Sequence, residues 1–343
     1  MRQAGRYLPQ YRSIRSRYSL LEICRHAELV AEVTLQPVRL LGVDAAIIFA
    51  DILLPLLSMG VQLEFAAGEG PVIRDPLRTP RDLERLSIPS GDEIAPAVYE
   101  GIQLVRRELA GEVPVIGFAG GPFTVASYLI EGSSSRHYVE TKRLLYAEPS
   151  AWTRLMDMLA EVTTRYLQAQ VRAGAQAVQL FESWAGALNP IDFQERVSPW
   201  IARIVGELRP LGIPVILFGT GTAGFLSTFA ASGADVIGVD WRIRLDVAWA
   251  AIGADRAVQG NLDPGVLLAP REEIRRHVQL IFEQVGGRPG HIFNLGHGVL
   301  PETPVENVRY LVELVHQLGA DAKRTYGGGG ETRVQSSEQR EGT

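Results

Sequence analysis

Short apolar runs, rich in β-branched residues and closed by a polar residue or glycine, recur at seven places along the chain. They are Ala45–Ala50, Val113–Phe118, Ala177–Phe181, Pro214–Phe218, Asp235–Val239, Ala257–Gly260 and His291–Leu295. Between them apolar residues repeat at helical spacing. The longest such stretch is Ala151–Ala173, where Leu155, Met158, Leu159, Val162 and Tyr166 recur at that spacing; others lie near Leu21–Leu40, Ile94–Leu109, Val197–Leu208, Glu272–Val285 and Glu306–Leu318. Strands alternating with helices predict a parallel sheet covered by helices. Seven strands is one short of a (β/α)8 TIM barrel, a fold that suits a chain of 343 residues. The expectation is an α/β protein with one such barrel over residues 1–322, its first strand lying upstream of Met1. A tail, 323–343, follows; it holds Gly327–Gly330 and then mostly Ser, Gln, Glu and Arg, and is expected to be disordered. The competing architecture is an open doubly wound sheet.

The residues that close the runs favour the barrel. They are Asp51, Gly120, Glu182 with Ser183, Gly219, Asp240, Asn261 with Asp263, and Asn294 with His297. A parallel barrel gathers every strand C-terminus at one mouth, where its chemistry occurs. Polar residues end strands in any case, because loops are solvated. Asp51 and His297 stand out as a carboxylate and an imidazole placed just after apolar runs.

Composition narrows the chemistry. Lys and Arg number 34 against 39 Asp and Glu, a net charge of −5, so neither nucleic acid nor an anionic membrane is an expected partner. No apolar run approaches the roughly 20 residues of a membrane helix, and the polar start lacks the apolar core of a signal peptide. The single cysteine, Cys24, excludes an internal disulfide, suits a reducing cytoplasm and leaves no thiolate zinc site. Lys142 and Lys323 are the sole lysines and neither ends a strand, which argues against Schiff-base chemistry.

Against this acidic background the first seventeen residues, MRQAGRYLPQYRSIRSR, hold Arg2, Arg6, Arg12, Arg15 and Arg17 and no acid. Guanidinium groups pair bidentately with carboxylate or phosphate, so the cluster predicts a polyanionic ligand. Gly5, Tyr7, Leu8 and Pro9 argue for an ordered loop over a flexible basic terminus. Asp51 sits between IIFA and ILLPLL and should be partly buried. It is open to several roles: acceptor for ligand N–H groups, general base, counter-ion to the arginines, or helix N-cap. His297, in NLGHG, is either a ligand-binding or acid/base group or a core histidine. GTGTAG, residues 219–224, matches G-x-G-x-x-G after a strand. It lies two-thirds along the chain without an acidic residue at the ribose spacing, so it reads as a tight βα loop.

Several segments together resemble one family. MRQAGRYLP, AAIIFADILLP, GEGP (residues 68–71), GFAGGPFT, YLIEG, QLFESWAG, DVIGVDW, QGNLDP and NLGHG are similar, in order, to the successive motifs of the uroporphyrinogen decarboxylases. The resemblance implies a (β/α)8 barrel, a homodimer, no metal and no cofactor. It implies conversion of the four acetate arms of uroporphyrinogen III to methyls, giving coproporphyrinogen III. Carried over residue by residue, it makes Asp51 the acceptor of the pyrrole N–H groups. Arg2 and Arg6 become holders of substrate carboxylates, Arg2 also a candidate proton donor, and Arg15 a further substrate-side arginine. Tyr128, Ser183 and His297 become hydrogen-bonding residues around the acetate and propionate arms, and Phe118 and Phe181 pack near the macrocycle. Eight carboxylates on the substrate agree with arginine concentrated in an acidic protein. Two alternatives remain: a barrel methyltransferase of the corrinoid-linked branch, which uses cysteine and histidine on zinc, and a paralogue that binds porphyrinogens without turnover.

Overall fold

The computed structural model describes residues 3–66 and 70–327, with the backbone alone for Ala66 and residues 321–327. Arg2 and the first half of the GEGP motif lie outside the described residues, as does most of the expected tail. All seven apolar runs form strands, and a hairpin adds two more. In chain order these are β1 (Ala46–Ile47), β2 (Leu63–Ala66), β3 (Gly70–Ile73), β4 (Val115–Gly120), β5 (Ala177–Glu182), β6 (Val215–Gly219), β7 (Val236–Gly238), β8 (Ala257–Leu262) and β9 (His291–Leu295). β2 and β3 pair with each other alone, antiparallel.

The other seven form one parallel sheet in the order β1-β4-β5-β6-β7-β8-β9. The order never reverses, so there is no topological switch point of the kind a doubly wound sheet requires. The sheet curls. The helix Val305–Gly327, which follows β9, packs on Ala27–Leu41, which precedes β1. Arg309 Nε donates to the Leu40 carbonyl at 2.9 Å, and His316 Nε2 lies 3.0 Å from Asp44. The helical layer thus meets itself, while among the described residues β9 and β1 do not pair. The barrel expected from the sequence, lacking its first strand, is here a curled seven-stranded parallel sheet that does not close among the described residues.

β1 is only two residues long, and side-chain amides continue its ladder on both sides. On the free edge, Gln3 Nε2 donates to the Ala45 carbonyl at 2.8 Å and Ile47 N–H donates to Gln3 Oε1 at 3.0 Å. On the other side, β1 departs from β4 beyond Ile48. There Gln170 of the helix Pro149–Ala173 receives the Phe118 N–H and donates to the Phe118 carbonyl, both at 2.9 Å. Each carboxamide presents one N–H and its C=O to the backbone, as a peptide unit does, and so satisfies backbone groups that burial would otherwise orphan.

The helical stretches break where local signals demand. Leu21–Leu40 divides into Leu20–Cys24, opened by a Ser19–Glu22 capping box, and Ala27–Leu41. Ile94–Leu109 divides at Pro96, which has no N–H and starts the longer helix Pro96–Leu109. The last helix reaches Gly327, a turn into the stretch read as tail. No described helix is long and apolar enough to cross a membrane.

Candidate active site at the strand C-termini

Residues 6–17 are ordered. Leu8 and Ile14 are buried, Pro9 opens the helix Pro9–Arg15, and Tyr11 packs on Phe49 with ring centroids 5.6 Å apart. Arg12 serves this loop, donating to the carbonyls of Arg6 and Tyr7 at 2.8 and 3.1 Å. Arg6 is exposed on the same turn. Arg15 donates to the Tyr18 carbonyl and lies close enough to Cys24 for its charge to act on the thiol. Among the described arginines, Arg6 is thus exposed beside a packed loop and helix that Arg12 and Arg15 help to hold.

Asp51 follows β1 and is half-buried. Its own turn and the packing of its chain neighbours position it. The Phe49 N–H donates to the Thr34 hydroxyl at 2.9 Å, the Leu53 N–H donates to Asp51 Oδ1 at 2.9 Å, and Ile52 packs against the end of β4 at Gly120. A Cβ on Gly120 would stand 3.1 Å from that of Ile52, so glycine there admits the loop. Asp51 Oδ1 closes an Asx turn ahead of the helix Leu54–Ser58, whose N-cap is Leu53 with no side-chain cap bond, so Asp51 is not the helix cap. Cys24, which the sequence sets apart from every strand end, lies beside Asp51. Burial, then the Asp51 charge, push its thiol up to about 12, far from a reactive thiolate.

Phe118 on β4 and Phe181 on β5 meet edge to face at 5.5 Å, and Phe218 on β6 continues the row at 6.0 Å. Tyr128, on the helix Pro122–Glu131, stacks on Trp184 at 4.0 Å, next to Ser183. His297 follows β9 and meets the edge of Trp241, from the loop after β7, at 6.2 Å.

Glu182 joins two of these groups. It is fully buried, yet it accepts the N–H of Phe123 at 3.1 Å, the N–H of Thr124 at 2.6 Å and the Thr124 hydroxyl. The same hydroxyl accepts the Trp184 N–H at 3.2 Å. Helix Pro122–Glu131 has glycine, not a polar side chain, at its N-cap, so the carboxylate on the neighbouring strand supplies the missing acceptor. A Cβ at Gly121 would come within 2.4 Å of Glu182 Oε2. Burial pushes the Glu182 carboxyl up to about 7, against the pull of its donors. Its placement holds Tyr128, Ser183 and Trp184 in one frame. The pattern marked Glu182 only as a polar strand end; the glycine before Pro122 was the one sign that a helix needed an outside acceptor.

The GTGTAG loop leaves β6. Asp240, buried after β7, accepts the Gly221 N–H at 2.6 Å. A carboxylate already occupies a backbone donor that a dinucleotide phosphate would use, in keeping with a tight loop at the mouth. Among the described residues no three His, Cys, Asp or Glu side chains gather to hold a metal ion.

The sequence is matched over residues 1–318 by the family model described as Uroporphyrinogen decarboxylase (URO-D). The chain belongs to the uroporphyrinogen decarboxylase family. A curated relative of that name from Carboxydothermus hydrogenoformans is 55% identical over 320 residues, covering 93% of this chain and 91% of its own. Relatives of the same name from Sorangium cellulosum (54% identical; 93% and 91% covered) and Thermus thermophilus (53%; 93% and 93%) agree. Among solved structures a methyltransferase from Methanosarcina mazei superposes with a TM-score of 0.76 at 22% identity, covering 87% of each chain. At that identity the likeness shows a shared fold and nothing of chemistry.

Proposed function

We propose that this chain decarboxylates uroporphyrinogen III at its four acetate arms to give coproporphyrinogen III, as a homodimer in the cytoplasm. The observation that carries the proposal is family membership across residues 1–318, with relatives above 50% identity over more than nine-tenths of the chain. The catalytic unit is residues 1–322, a (β/α)8 barrel whose remaining strand position lies between the free edges of β9 and β1.

The chemistry follows from the substrate. A proton added to a pyrrole carbon beside an acetate arm makes the ring cationic. The C–C bond to the carboxylate then breaks, CO2 leaves, and the electron pair flows into the ring. A second proton on the former methylene gives the methyl, and the ring proton is returned. The pyrrole supplies the electron sink that pyridoxal or thiamine supplies elsewhere. The protein has to bind the macrocycle, place a proton and offset the cation.

Asp51 accepts the pyrrole N–H groups and its negative charge favours the cationic intermediate. Phe118 and Phe181 pack near the macrocycle. Arg6 and Arg15, with Arg2 from outside the described residues, hold carboxylates at the rim, and Arg2 is also the candidate proton donor. An arginine has a pKa above about 12 and a pyrrole carbon is a weak base, so the role requires a site that lowers the arginine's hold on its proton. Tyr128, Ser183 and His297 hydrogen-bond the arms. Their strands, or the loops and helix that follow them, all emerge at the same end of the sheet.

The test is an anaerobic assay with uroporphyrinogen III, its products oxidised and counted by carboxyl number. The tetracarboxylate should accumulate. A folded protein that binds the octacarboxylate and releases no CO2 would overturn the proposal in favour of a porphyrinogen-binding protein.

A further inference from the structure

The rim arginines near the start of the chain are not the sole cations at the strand C-termini. Arg242 lies in the loop after β7, just beyond the DVIGVDW motif. We propose that Arg242 is a carboxylate-binding residue of the mouth and takes a propionate arm of the substrate; this rests on the function proposed above.

The loop presents its guanidinium in a fixed pose. The Asp240 side chain is 2% exposed; its Oδ1 accepts the Arg242 N–H at 3.0 Å and its Oδ2 accepts Arg242 Nη1 at 2.6 Å. The guanidinium carbon lies 4.0 Å from the centre of the Trp241 ring, and that ring meets His297. Yet the Arg242 side chain remains 51% exposed, and among the described residues its Nε and Nη2 hold no hydrogen bond. A guanidinium has a fork of donors, and here one edge is spent on orientation while the other faces solvent. A cation held in one rotamer by a buried carboxylate and an aromatic face loses little entropy when it grips an anion.

The choice of arm follows from position. β7 stands four strands along the sheet from β1, which precedes Asp51. An arm held by Arg242 is thus remote from the reacting ring beside Asp51. Propionates survive every decarboxylation, so a contact to one of them acts alike on the substrate and on each partly decarboxylated intermediate.

The experiment compares wild type, Arg242→Ala and Arg242→Lys in anaerobic steady-state kinetics. The substrates are uroporphyrinogen III and its heptacarboxylate product. Loss of a charged hydrogen bond should raise KM about tenfold for Arg242→Ala on both substrates, with kcat nearly unchanged. Arg242→Lys should recover part of the loss. Added salt should raise the wild-type KM more than that of Arg242→Ala. An unchanged KM in Arg242→Ala, with an active wild type, overturns the proposal. So does a fall in kcat and Tm shared by both variants, which would make Arg242 merely the partner of Asp240. A wild type inactive on uroporphyrinogen III instead refutes the function itself, and this contact with it.

Discussion

Replacing Glu182 by Gln should change how stability depends on pH, in a direction the geometry fixes. The native carboxyl is pushed up to about 7 from an ordinary value of 4.5. Between those values the native state binds more protons than the unfolded chain. The group's contribution is therefore full below pH 4.5 and is lost as pH rises through about 7. A span of about 2.5 pH units, at 1.36 kcal/mol per unit, gives about 3 kcal/mol. Glutamine has no such titration. It has its own cost, because its amide presents a donor to one of the N–H groups of Phe123 and Thr124, worth about 1–3 kcal/mol at every pH. The assay is urea unfolding of wild type and Glu182→Gln at pH 5 and pH 8. All other titrating groups cancel in the difference between the two proteins. Wild type should exceed the variant by about 1–3 kcal/mol at pH 5, and its loss of about 3 kcal/mol by pH 8 should close or reverse that gap. Parallel pH profiles would refute the account of a buried, proton-retaining carboxyl at this helix start.

Asp51→Asn keeps the shape and removes the charge. A charge facing a ring cation at about 4 Å is worth about 4 kcal/mol at an effective dielectric of 20, so kcat should fall about a thousandfold; unimpaired turnover would sink the cation-stabilising role. Gln170→Leu leaves both backbone groups of Phe118 unpaired in the core and should cost about 2–4 kcal/mol in chemical denaturation. A loss below about 0.5 kcal/mol would mean that the chain or water re-satisfies them.

The seven-stranded parallel sheet was legible because burial on both faces writes strands as continuous apolar runs, and each run ended in a residue of distinct chemistry. The site was legible in part for the same reason: strand ends converge. Most of what escaped the pattern involved partners distant in sequence. The hairpin β2–β3 holds Pro71 and pairs with no other strand, so it lacks the alternation of a half-buried sheet. Glu182 acts on a helix that begins sixty residues earlier, and only the parallel register of β4 with β5, which sets Gly120 beside Phe181, brings the two together. Asp240 acts likewise on Gly221, across from β7 to the loop after β6. A spacing in sequence carries no trace of such contacts. Cys24 likewise lies on a short helix whose packing, not its position in the chain, sets it against Asp51.

The strand before Asp51 is also the one least supported by strand pairing. β1 contributes two ladder residues, against five or six in most of its neighbours. A carboxylate at its end needs firmer support than that if, as proposed, it is to meet the pyrrole nitrogens. Side chains supply it: the Gln3 carboxamide bonds Ala45 and Ile47 on the free edge and the Thr34 hydroxyl accepts the Phe49 N–H, while Gln170 takes the place of β1 on the neighbouring strand at Phe118. Gln3 is the third residue of the MRQAGRYLP segment, between Arg2 and Arg6. The segment that holds the arginines proposed to bind carboxylates is thereby tied, through Gln3, to the strand that precedes Asp51. In the proposed reaction a displacement of this segment would therefore reach Asp51 as well.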